Sequence, residues 1–117
     1  MTNVRRIMKV KDFSHTEPSI FLEKQAMKSL AKLAKKRTGQ THSHCLFVIA
    51  NIFCGVNNSF AEYWEEGIFD LQLEDAIENH PDIVTSRFKA VAEFCQTSVG
   101  HIKALTGTKQ YDSIIEN

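Results

Sequence analysis

The sequence predicts an all-α fold, a single domain of five to six helices gathered around one central apolar helix. Three observations carry that expectation. Only five Gly and two Pro occur in 117 residues, too few for the frequent tight turns of an all-β sandwich. Apolar residues recur at spacings of three and four, the period of a helix with one buried face. Ser, Thr or Asp stands ahead of most periodic stretches, and Gly or Pro follows them, as helix starts and stops do. The chain length suits one domain with one core.

Residues 1–15 read as a basic N-terminal arm and residues 16–117 as the helical domain. The arm carries Arg5, Arg6, Lys9 and Lys11. Its Met8-Lys9-Val10-Lys11 alternates apolar and basic groups as a short strand does. A first helix is expected over Ser19–Arg37, entered at Thr16 or Pro18 and stopped by Gly39. A second spans Ser43–Cys54, capped by Thr41 or Ser43. It is apolar on nearly every side, so it belongs in the middle of the fold, and its β-branched and aromatic content makes a buried strand the competing reading.

Ser59 and Glu62 form the capping box of a third helix that ends near Gly67. Asp70 is positioned to cap a fourth, Leu71–Asn79. Pro81 breaks the chain before a fifth helix that runs to Gln96, with Ile83, Val84, Phe88, Val91, Ala92 and Cys95 on its buried side. Thr97 or Ser98 caps a short sixth helix, Val99–Leu105, closed by Gly107.

The net charge is zero, but the charges are segregated. Residues 1–40 hold ten Lys/Arg against three Asp/Glu, and residues 41–117 hold four against eleven. Such asymmetry points to a charged partner, or to two halves that neutralise each other within one fold. Lys24, Lys28, Lys32 and Lys36 follow one another at four-residue steps, and Lys35 joins them. Together with Arg5 and Arg6 they are the candidate surface for an anionic partner, nucleic acid or protein. Between Glu62 and Asp82 lie eight carboxylates and no Lys or Arg. Of these, Glu62, Glu65, Glu66, Asp70 and Glu74 are the candidate surface for a basic partner.

A weak helix-turn-helix pattern runs through Phe88–Leu105, with Ala92 before the turn and Ile102 and Leu105 after it. Gln96, Thr97, Ser98, His101 and Lys103 are its candidate DNA-reading residues. Gln96 stands where the turn usually has Gly, and this is the pattern's misfit. No Cys or His pair has the spacing of a structural zinc site, so no metal or other cofactor is expected. There is no phosphate-binding Gly-rich loop, no nucleophile elbow and no H-E-x-x-H, so no catalytic residue is assigned. The longest apolar run, Cys45–Val56, is interrupted by Asn51 and Gly55 and is too short to cross a bilayer. Three cysteines without framework spacing, and an N-terminus without an apolar leader core, fit a cytoplasmic protein with reduced thiols. The expected function is a small non-catalytic regulator or inhibitor that docks a macromolecule through charged faces. A helix-turn-helix transcriptional regulator is the alternative.

Overall fold

A computed structural model describes residues 18–54 and 69–107. The expected arm at 1–15 and the expected helix at 59–67 lie outside the described residues. The described residues form five helices: α1 (Lys24–Thr38), α2 (His42–Cys54), α3 (Leu73–Asn79), α4 (Pro81–Phe94) and α5 (Val99–Thr106). There is no strand among the described residues beyond one isolated parallel bridge, Ile20 with Leu71. The all-α expectation holds.

α1 begins five residues later than its periodicity suggested. Ser19–Glu23 is extended, because its backbone groups are taken by distant partners. The Ile20 N–H donates to the Phe53 carbonyl (2.9 Å) and the Phe21 N–H to the Leu71 carbonyl (2.8 Å). Ile20 and Leu22 are buried while Glu23 is exposed, which is the two-residue alternation of a strand. Ser19 and Asp70 clasp this segment. The Ser19 N–H donates to Asp70 Oδ2 at 3.0 Å, and the Asp70 N–H returns to Ser19 Oγ at 2.9 Å. Asp70 is therefore not the cap of α3. Gln72 holds that position and makes no side-chain capping bond.

α1 buries Met27, Leu30, Ala31 and Ala34 and ends at Gly39, whose φ of 79° lets its N–H reach the Lys35 carbonyl. Three residues later α2 runs back along it. The Thr41 hydroxyl accepts from the His44 N–H (3.1 Å), so Thr41 supplies the cap. α2 is a helix, not a strand, and it buries one face, Cys45, Ile49, Ala50, Phe53 and Cys54. Its other side is not enclosed as expected, and Phe47 is 47% exposed.

Pro81 takes the first turn of α4, where a missing N–H costs nothing, and His80 closes α3 through a 2.7 Å bond to the Ala76 carbonyl. α1 packs on α2 and α5, α5 on α4, and α4 on α2, so these four close a ring around the core. α3 attaches to α4. Leu30, Ile49, Phe53, Phe88, Val91 and Ile102 are completely buried in the core. Each such side chain contributes ~1.5–3 kcal/mol by leaving water.

α4 stops in a Schellman turn. The Gln96 N–H bonds the Glu93 carbonyl (3.1 Å), and the Thr97 N–H bonds the Ala92 carbonyl (2.9 Å). Gln96 has φ 57°, the left-handed conformation that glycine adopts without penalty. Gln96→Gly is expected to raise unfolding stability by ~0.5–1 kcal/mol in urea denaturation, because it relieves this conformation while keeping the backbone bonds. A fall in stability would mean that the Gln96 side chain contributes more than its backbone costs.

Candidate functional site

Lys24, Lys28, Lys32, Lys35 and Lys36 are all exposed, on the side of α1 opposite Met27, Leu30 and Ala34. Successive four-residue steps on an α-helix advance ~6 Å, so Lys24 to Lys36 covers ~18 Å. α1 contains no acidic residue, and none stands in its first turn, where a carboxylate would suit the helix dipole. Lys24 occupies that turn, directly after the exposed N-cap residue Glu23. Three like-charged pairs at four-residue spacing each destabilise the helix by ~0.2–0.5 kcal/mol. Lys35, Lys36 and Arg37 have an ordinary structural explanation in the last turn, where cations are favoured. Lys28 and Lys32 stand outside that turn.

The described carboxylates stand differently. Glu74 and Asp75 occupy the first turn of α3, and Asp82 the first turn of α4, so each complements a helix dipole. Asp70 is engaged by the Ser19 N–H. α3 is attached to α4, whereas α1 packs on α2 and α5. Within the described residues, then, the acidic helix is not what α1 packs against. Glu62, Glu65 and Glu66 lie outside the described residues, as do Arg5 and Arg6.

The helix-turn-helix candidates are divided by the fold. The turn forms despite the absence of Gly, since Gln96 takes the left-handed conformation itself. Arg37 Nη1 donates to the Gln96 carbonyl and ties the end of α1 to this turn. Ser98 caps α5, its Oγ accepting from the His101 N–H at 3.1 Å. Thr97 Oγ1 and His101 Nδ1 share a 2.9 Å hydrogen bond across the first turn. Gln96 and Ser98 are exposed. Lys103, expected to reach DNA, is only 3% exposed, and Val99 only 1%. Both burials weigh against Lys103 as a contact on the expected reading face. α5 turns Val99, Ile102 and Lys103 inward.

Among the described residues, no group of three or more His, Cys, Asp or Glu side chains is placed to hold a metal ion. Cys45, Cys54 and Cys95 are buried, with no disulfide among them. Cys95 donates to the Leu30 carbonyl (3.8 Å). Burial, reinforced by neighbouring Cys45 and opposed by Arg37, pushes its thiol up to about 11, so it stays protonated and weakly nucleophilic near neutrality. An open groove of about 490 Å³ follows α4, lined among the described residues by Asp82, Thr85, Ser86, Lys89, Ala90 and Glu93. Its hydroxyls have no His or Cys among those lining residues to activate them. No helix formed by the described residues is long and apolar enough to cross a membrane.

Sequence reasoning missed Arg87, which is buried at 4% exposure and donates to the Phe53 carbonyl at 3.0 Å. Its position between Ser86 and Phe88 on an amphipathic helix gave one weak signal, a charge beside the apolar face. Compared with known proteins, the chain matches no protein family, no curated protein and no solved structure.

Proposed function

We propose that this protein is a small non-catalytic binding protein, a regulator or inhibitor, that docks an anionic macromolecule on the exposed lysine face of α1. One observation carries the reading. α1 presents six cations and no anion, in an order that costs helix stability, while the acidic helix α3 is attached to α4. A solvated face selected for solubility alone would mix the two signs. The acidic surface is the weaker docking candidate, because Asp70, Glu74, Asp75 and Asp82 have structural roles near helix starts or in the Ser19 clasp.

The test is retention by immobilised polyanions: poly-glutamate, heparin and duplex DNA. The native chain is expected to bind at least one of them, and Lys28→Glu/Lys32→Glu to lose that binding while keeping its helical circular dichroism. Equal retention of both proteins would reject the α1 face.

Sequence-specific DNA reading by α4 and α5 is a second reading, supported by the left-handed turn at Gln96. The burial of Val99 and Lys103 weighs against it. Binding that survives excess competitor DNA and is lost on Gln96→Ala would favour it over the α1 face.

A further inference from the structure

We infer that the partner of the α1 face is the phosphate backbone of duplex DNA, an inference that rests on the docking reading above. The composition of the face decides between partner classes. The exposed residues of α1 are Lys24, Gln25, Lys28, Lys32, Lys35, Lys36 and Arg37, with no aromatic or aliphatic side chain among them. Protein interfaces are organised around buried aromatic and apolar anchors and are depleted in lysine. Protein–DNA interfaces are polar and strongly positive. A lysine face without an anchor fits phosphates far better than an acidic protein surface.

Strandedness follows from the same residues. Single-strand binders stack bases on aromatic side chains, and this face carries none. The ~18 Å from Lys24 to Lys36 corresponds to a stretch of duplex in which each strand carries about five phosphates. Duplex RNA is recognised substantially through its 2′-hydroxyls. The end groups of the lysine face, apart from Gln25, are ammonium donors, which neutralise phosphates without reading sugars. Arg37, held on the Gln96 carbonyl, places the exposed Ser98 and the start of α5 beside the basic end of α1. Hydroxyls and helix starts are frequent secondary phosphate contacts.

The experiment is fluorescence anisotropy of the full chain with a short random-sequence DNA duplex between roughly 50 and 200 mM salt. Four lysine–phosphate contacts predict a slope of log affinity against log salt of about −3.6 or steeper. Lys28→Gln/Lys32→Gln is expected to flatten the slope by about 2 and to weaken binding at least about tenfold at the lowest salt, with unchanged circular dichroism. Duplex binding whose slope the double variant leaves unchanged would overturn the assignment to α1. Tighter binding of single-stranded DNA or of duplex RNA would overturn the duplex-DNA assignment. Variant-sensitive binding of poly-glutamate without DNA binding would overturn the DNA partner and leave the docking face standing. Failure of all these ligands would sink both.

Discussion

Phe53→Ala is expected to lower the free energy of unfolding by ~3–5 kcal/mol, the range for removing a large aromatic side chain from a packed core. Phe53 is fully buried, and its ring meets Phe88 edge to face at a centroid separation of 5.7 Å. Phe53 also stands where three parts of the chain meet. Its carbonyl accepts from the Ile20 N–H and from Arg87. Small domains are stable by only ~5–15 kcal/mol, so this one change removes much of the margin. A thermal scan should show the midpoint falling by roughly 10–20 °C. Phe53→Leu, which keeps most of the volume, should cost less than half as much. Equal costs would mean that the edge-to-face ring pair matters more than the cavity.

Arg87→Ala is the second large expected loss, ~2–4 kcal/mol in urea denaturation. A buried guanidinium is tolerated only with partners. Arg87 has a carbonyl at the end of α2, where the helix dipole favours positive charge. Truncation removes that charge-assisted bond and the packing of the stem together. Arg87→Met separates the two, since it keeps the stem and deletes the charge. A Met variant as stable as the native protein would assign the whole effect to packing. Arg87→Lys should also be destabilising, because a compact ammonium does not reproduce the planar donor array.

Much of the fold was legible in local chemistry. Gly39, Pro81, Ser98 and Gly107 mark element ends where the sequence places them, because each satisfies or spares backbone groups at a helix terminus. The errors are tertiary in origin. Ser19–Glu23 continues the helical pattern of α1 on paper, yet Phe53 and Leu71 claim its N–H groups. Asp70 looks like a cap and serves as a clasp, because Ser19 lies close enough to compete for it. Gln96 lacks the residue type its turn prefers, and the two Schellman hydrogen bonds hold it in a left-handed conformation regardless.

The site divides the same way. The lysine stripe was readable because exposure of a helix face follows from the positions of Met27, Leu30 and Ala34 on the other side. Lys103 was not readable. Lysine is rarely buried, and only the packing of α5 against α1 and α4 shows that its side faces inward. The Arg37 tie to the turn, spanning 59 residues, leaves no local trace in the sequence.

On the proposed reading, α1 carries charge held for a partner, at a cost to its own helix. Lys28→Ala/Lys32→Ala measures that directly by urea denaturation at low salt. Removing the two ammonium groups relieves repulsion along Lys24, Lys28, Lys32 and Lys36 and installs the best helix former. Stability is therefore expected to rise by about 1 kcal/mol, with the gain shrinking as salt screens the native protein. A loss of stability of similar size would show that these lysines are already matched within the fold, and the case for an outside anion would end there.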